Sequence, residues 1–289
     1  MKVFSYSKAL YSTWFYLEPL RLLLDAGEGL NTHLEGRLLA FRNIAITHAH
    51  TDHFTGLQNI LVTRLREMEV TKEPMPKLLL MYPHDSYTIK RYLAYIEDVT
   101  ERFHDLVDVR PLRVGDSVPL QGVRGLHLNV LKADHFVHRQ TAFSYRIDRE
   151  HYELKEEVRA LPQQEINRRI AQEGRAALTN CVHKPLVFYS GDGRPVLDPK
   201  SRKVPLMIHE ATFLESGHKP THADLPAVVA LFREMEAKQL ILFHLSTRYH
   251  YKEFMQELDH LVPNPRERER ITVVRPGSMY QRDIPVPGY

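Results

Sequence analysis

The sequence predicts an α/β fold in which two mixed sheets pack together under covering helices. Three observations predict it. Short apolar runs of strand type alternate with stretches that carry apolar residues at helical spacing. The residues richest in chemistry follow directly on the ends of those runs. A chain of 289 residues, 43% hydrophobic and 26% charged, buries a core large enough to need neither a metal nor a disulfide merely to fold. We expect one domain over residues 1–289, built from two similar halves.

The elements follow in order. Residues 3–6, 13–17 and 20–25 read as strands, and Gly27-Glu28-Gly29 ends the third. Residues 43–47 (NIAIT) form a buried-type strand. In 54–69, Leu57, Ile60, Leu61, Leu65 and Met68 mark a helix. Strand 77–82 and helix 85–103 come next, then strands 107–112, 117–120, 126–132 and 142–147. Residues 150–175 are charged and helix-prone, interrupted by Pro162. They read as a helical insertion, either a solvated helix pair or a lid or reduced substrate arm. Strands 186–189 and 206–208, helix 225–237, strand 239–243, helix 252–261 and strands 271–275 and 279–285 complete the chain.

Composition narrows the function classes. The single cysteine, Cys181, excludes an internal disulfide and a cysteine-built zinc cluster, and fits a reducing cytoplasm. The N-terminal stretch is broken by Lys8, Glu18 and Arg21, so no secretory signal is expected. There is no apolar run of about 18 residues, so no membrane span or membrane partner is expected. A net charge of +3 does not by itself argue for nucleic acid. The 17 histidines are the informative excess.

Thr47-His48-Ala49-His50-Thr51-Asp52-His53 carries four candidate ligands at a strand exit. An extended backbone points His48 and His50 the same way, and a turn aims Asp52 and His53 beside them. Nitrogen and carboxylate donors without thiolate suit Zn²⁺ first, with Mn²⁺, Fe²⁺ or Co²⁺ as alternatives. His138, Asp192 and His244 stand near other strand ends and would complete a two-metal site. Asp192 would bridge the ions, and a water between them would be ionised near neutral pH.

Four segments sharpen this. Asp25-Ala26-Gly27-Glu28-Gly29, Tyr189-Ser190-Gly191-Asp192, His209-Glu210-Ala211-Thr212 and Leu242–Tyr249 (LFHLSTRY) occur in order with the histidine cluster. Together they resemble the metallo-β-lactamase superfamily, and within it the ribonuclease Z branch, over roughly residues 20–250. The resemblance implies a four-layer αβ/βα sandwich with the site along one edge. It implies one zinc on His48, His50 and His138, a second on Asp52, His53 and His244, and Asp192 between them. His138 is preferred to His135 because it precedes Tyr145 by the family's seven-residue spacing. The resemblance further implies hydrolysis of a phosphodiester by a metal-bridging hydroxide. Asp52 would orient the water, His222 would protonate the leaving oxygen and Glu210 would hold His222.

Other features depart from that branch. The family's Gly-Pro arm motif is absent, and 150–175 mixes its charges instead of being basic. Ala26, Gly193 and His222-Ala223-Asp224 stand where the family carries Cys, Thr and His-Ser-Thr. Precursor tRNA is therefore one expected partner and a small phosphodiester another. A hydrolase of lactones or thioesters on the same metal site is the alternative. A homodimer is implied only by the resemblance.

Overall fold

The computed structural model describes residues 1–217 and 221–289. One seven-stranded sheet contains β1 (Lys2–Lys8), β2 (Ser12–Leu17), β3 (Leu22–Leu24), β4 (Asn43–Ala45), β5 (Leu78–Pro83) and β6 (Val107–Leu112) in that order, with β14 (Tyr280–Asp283) outside β1. The second contains β7 (Ser117–Pro119), β8 (Leu126–Lys132), β9 (Phe143–Leu154), β10 (Thr179–Tyr189), β11 (Leu206–Glu210), β12 (Gln239–Phe243) and β13 (Ile271–Val273), again in chain order.

Both sheets share one plan. An antiparallel meander, β1–β3 or β7–β10, gives way to parallel strands, β3–β6 or β10–β13. Parallel neighbours need a crossover long enough to return the chain. Helices α2 (Leu57–Thr71) and α3 (Tyr87–Val99) serve the first sheet, α7 (Leu225–Glu234) and α8 (Tyr251–Leu261) the second. Strand alternation then builds three apolar layers. Leu22, Leu24, Phe15 and Met81 face Tyr145, Ile147, Tyr189 and Phe243 between the sheets. Leu23, Ile44 and Leu80 face outward to Leu57, Ile60 and Ile96, and Met207, Leu240 and Leu242 face Val228, Phe232 and Leu258. This is the expected four-layer sandwich. Among the described residues no helix is long and apolar enough to cross a membrane.

The helix pair expected in residues 150–175 is present on either side of Pro162, and it sits on a strand ribbon that the apolar pattern does not mark. β9 runs on to Leu154 and β10 begins at Thr179, and they pair from Leu154↔Thr179 down to Arg149↔Lys184 as a two-stranded ribbon. Only its head is helical: α5 (Glu156–Arg159) and α6 (Gln163–Glu173) enclose a small core of Val158, Ile166 and Leu178. The ribbon's residues 149–154 and 180–185 are exposed or half-buried on both faces, so it lacks the apolar alternation that marks a strand. It also leaves from the end of β10 opposite Tyr189. Lys184 is five residues, roughly 17 Å of extended chain, from that end.

The parallel strands open their C-terminal ends on one edge, and the His48–His53 loop is clamped there. Ala26 N donates to His53 O at 2.6 Å, Gly56 N to Ala26 O at 2.8 Å and Gly27 N to Thr13 O at 3.1 Å. A Cβ on Gly27 would collide with Asp52 O, Ser12 Oγ and Thr13 N. Backbone on two sides cannot yield as a flexible side chain would. Gly27→Ala is therefore expected to destabilise the protein by about 1–3 kcal/mol in urea denaturation. Wild-type stability in this variant would show that the loop is not clamped against β2.

Candidate metal centre

The chain leaves β4 at Ile46 and passes His48 and His50 over the sheet edge. His48 is fully buried, and its Nε2 lies 3.0 Å from His50 Nδ1. A third imidazole arrives from the loop after β8. It is His135, whose Nε2 is 3.2 Å from His50 Nδ1 and whose Nδ1 donates to Thr221 O at 2.7 Å. His48, His50, His135 and Asp192 turn one ligand atom each to a common point.

His138, the expected third ligand, is not in this group. It sits exposed in a tight turn closed by Gln140 N donating to Val137 O at 3.0 Å, with Arg139 at φ +52°. The seven-residue spacing to Tyr145 falls on His138 because this turn lies between His135 and β9. Tyr145 instead donates its hydroxyl to Ile46 O at 2.6 Å and ties β9 to the β4 exit.

The second group is Asp52, His53 and His244. Asp52 and His53 lie on a 3₁₀ turn, Thr51–His53. His244 follows β12 with φ +58°. Asp52 Oδ2 is 3.6 Å from His53 Nε2 and 3.5 Å from His244 Nε2. Asp192, on the glycine-flanked exit from β10, reaches both groups. Its Oδ2 is 3.2 Å from His244 Nε2, 3.4 Å from His53 Nε2 and 3.9 Å from His48 Nε2.

These residues fit a pair of cations. His53 Nε2, His244 Nε2 and Asp192 Oδ1 are buried without a hydrogen-bond partner, an expensive state unless something electropositive satisfies them. The nitrogens of the first group are spaced 3.0 and 3.2 Å apart. Ligands about 2.0–2.1 Å from a tetrahedral zinc stand about 3.3 Å apart.

Electrostatics agrees with the donor set of the first group. Burial, then the His53 charge, pushes His48 well below the usual imidazole range. Burial, then His135, brings His50 down to about 4, and burial also lowers His135. Neutral imidazole is the form that ligates. Burial alone would raise Asp192, but the charges of His244 and His53 hold it well below the usual carboxylate range. Burial works against a proton on His53, yet the charges of Asp192 and Asp25 raise it well above its ordinary value.

Glu210, fully buried at the end of β11, organises the other wall. Its Oε1 accepts from Gly193 N at 2.8 Å, Ala223 N at 3.1 Å and His222 Nδ1 at 2.8 Å. Its Oε2 accepts from Thr212 N at 3.0 Å and Thr212 Oγ1 at 2.6 Å. His222 lies 3.8 Å from Asp192 Oδ2 and borders a cavity of about 590 Å³ shared with Leu10, Phe213, His244 and Arg248. Burial lowers its pKa, but the hydrogen bond and charge of Glu210, then Asp192, raise it to about 9. Lys219 and Pro220, which precede His222, lie outside the described residues. His209 is buried and donates Nδ1 to the Glu210 carbonyl at 2.7 Å. His84 bonds Arg113, His250 caps α8, and neither joins the cluster.

Sequence reading had given no role to Asp25, Thr47, Thr212 or Tyr189. Buried Asp25 accepts from Thr47 N at 2.7 Å, His53 Nδ1 at 2.9 Å and Tyr189 OH at 2.7 Å. Its role has no local signature in sequence, because its partners lie on the segment after β4 and at the end of β10.

The His222–Glu210 pair has a pH signature in metal-free protein. The folded pKa of His222 lies above its unfolded value near 6.5. Its stabilisation is then complete below about pH 6.5 and lost as pH rises through 9. The stability difference between wild type and Glu210→Gln, followed by urea denaturation, is expected to shrink over that window. A difference constant from pH 6 to 10 would contradict the assigned pair.

Comparisons with known proteins agree with the fold. The family model described as "Anti-Pycsar protein Apyc1" matches residues 12–164, over half of the chain, including His48–His53 and His135. A ribonuclease Z of Archaeoglobus fulgidus is 29% identical over 261 residues, covering 79% of each chain. A ribonuclease Z of Pyrococcus furiosus is 24% identical over 290 residues, covering 89% of this chain and 88% of that one. The crystal structure of the short form of human tRNase Z superposes with a TM-score of 0.63 at 17% identity, covering 99% of this chain and all of the other. The metallo-β-lactamase fold protein YhfI of Bacillus subtilis gives 0.63 at 15% identity, covering 98% and 100%. The chain thus has the metallo-β-lactamase fold in its ribonuclease Z-like form, and it belongs to the family described as anti-Pycsar protein Apyc1.

Proposed function

We propose that this protein is a dinuclear zinc phosphodiesterase. His48, His50 and His135 hold one ion; Asp52, His53 and His244 hold the other; Asp192 serves both. The observation that carries this reading is the convergence of those donors with three buried ligand atoms left unbonded. Relatives named ribonuclease Z support a metal-dependent hydrolase acting on phosphodiester bonds.

When bound, the metal pair supplies charge stabilisation to the phosphoryl oxygens and acidifies a water nucleophile. The chain's own residues do the rest. Glu210 engages His222 Nδ1, which leaves Nε2–H free to donate. Against burial, Glu210, then Asp192, raise His222 to about 9 in the metal-free protein, which favours a proton on Nε2 that it can deliver to a leaving oxygen. Glu210 is a positioning residue here, shielded from the cavity by full burial. Asp52, on the wall between His53 and His244, is placed to orient a water while ligating.

Two observations favour a small phosphodiester over precursor tRNA. Residues 149–184 carry seven Lys and Arg against six Glu, and four of those cations are paired within the ribbon, Arg159 and Lys184 with Glu153, Arg168 with Glu165 and Arg169 with Glu173. Such mixed charge makes a poor stripe for a phosphate backbone. The ribbon also emerges from the end of the sheet opposite the metal centre.

Zinc-loaded protein incubated with bis-p-nitrophenyl phosphate, and in parallel with a 3′-extended precursor tRNA, tests the reading. Turnover of the small diester, abolished by chelation, is expected. Silence on both substrates at full metal loading would overturn it. Cleavage of the tRNA alone would restore the RNA reading. By metal analysis, His135→Ala is expected to lose zinc while His138→Ala keeps it. His222→Ala should retain metal and lose about 10²–10⁴-fold in turnover; full activity would remove His222 from the mechanism.

A further inference from the structure

We propose that Thr47 and Thr212 are positioning residues, each the hydroxyl of a carboxylate–threonine–histidine relay that sets the tautomer of a metal-facing imidazole. This inference rests on the metal-centre reading above. In the first relay, Thr47 Oγ1 lies 2.9 and 3.0 Å from the two carboxylate oxygens of Asp25 and 2.9 Å from His48 Nδ1. In the second, Thr212 Oγ1 lies 2.6 Å from Glu210 Oε2 and 2.9 Å from His244 Nδ1. One relay stands at the exit of β4 and the other at the exits of β11 and β12, so each half of the fold carries one.

Proton counting fixes their direction. A threonine hydroxyl has one proton and two lone pairs. Asp25 is met by a backbone N–H, an imidazole and a tyrosine hydroxyl, and Glu210 by three backbone N–H groups and an imidazole. Both are acceptor sites, so each threonine proton turns to its carboxylate. The His244 carbonyl, 3.0 Å from Thr212 Oγ1, competes for that proton, but the charged oxygen is nearer. The threonine lone pair then faces the imidazole, and Nδ1 of His48 and His244 must carry the hydrogen. Nε2 of each is left with its lone pair toward the cluster.

The other Nε2 donors reach the same state more directly. His53 Nδ1 bonds Asp25 Oδ2 and His135 Nδ1 bonds the Thr221 carbonyl. His48 and His244 are the two for which a side-chain hydroxyl intervenes. Partners of this kind typically hold 10–100-fold in metal affinity.

The test combines tautomer assignment with zinc affinity. Long-range ¹H–¹⁵N correlation spectra of metal-free, ¹⁵N-histidine protein are expected to show His48 and His244 as Nδ1–H tautomers. Thr47→Val and Thr212→Val should admit the Nε2–H form and weaken zinc binding by about 10–100-fold against a chromophoric chelator. Thr47→Ser and Thr212→Ser should restore both, which a purely space-filling role would not require. Nε2–H at either histidine of the wild type, or wild-type affinity in the valine variants, would overturn the relays. If the valine variants fail to fold, the wild-type spectra and the serine variants still decide. Nδ1–H tautomers in a wild type that binds no zinc would sustain the relays and refute the metal reading instead.

Discussion

The carboxylate of Asp192 is the constraint on which this edge of the molecule depends. It is 2% exposed and its Oδ2 has four imidazoles within 3.9 Å, those of His244, His53, His222 and His48. Burying a lone carboxylate costs roughly several kcal/mol, so its surroundings have to offset that cost. They do so by concentrating positive charge on one side and donors on the other. Against burial, Asp192, together with Asp25, raises His53 and adds to the larger effect of Glu210 on His222, while the charges of His244 and His53 in turn hold Asp192 low. A divalent cation would meet the same demand with fewer protons.

The fold prepares that location twice over. Each sheet turns from an antiparallel meander to parallel strands, and the parallel strands expose their C-terminal ends on a common edge. Residues that follow such ends are free of ladder hydrogen bonds and can aim side chains across the edge. The two halves then supply matching chemistry: Asp25 with Thr47 and His48 from one, Glu210 with Thr212 and His244 from the other. The inter-sheet core of Phe15, Tyr189 and Phe243 holds these exits in register, and the Tyr145 and Tyr189 hydroxyls fasten the sheets at their shared edge.

Much of this was legible from residue spacing. His48–His53 packs four candidate ligands into six residues, a density no core requires, and the strands leading to Asp192 and His244 read as buried apolar runs. Legibility failed where geometry is made at a distance. His135 was passed over for His138 because a tight turn at 137–140 breaks the assumed spacing. The outer halves of β9 and β10, 150–154 and 179–185, carry no strand signal because neither face of the ribbon packs on a core. The short helix α1 (Leu30–Leu34) and the 3₁₀ turns after it went unseen because they are too brief for periodicity. Asp25 and Thr212 stand in two of the motif segments, but their bonds to Thr47, His53 and His244 are assembled only by the tertiary fold.

The claim at the centre of this account is that the edge holds two ions on separate ligand sets joined by Asp192. Anomalous diffraction at the zinc edge from zinc-soaked crystals tests it most directly. The account predicts two peaks, one ringed by His48, His50 and His135, the other by Asp52, His53 and His244, with Asp192 touching both. A single peak, or a peak coordinated by His138, would contradict it.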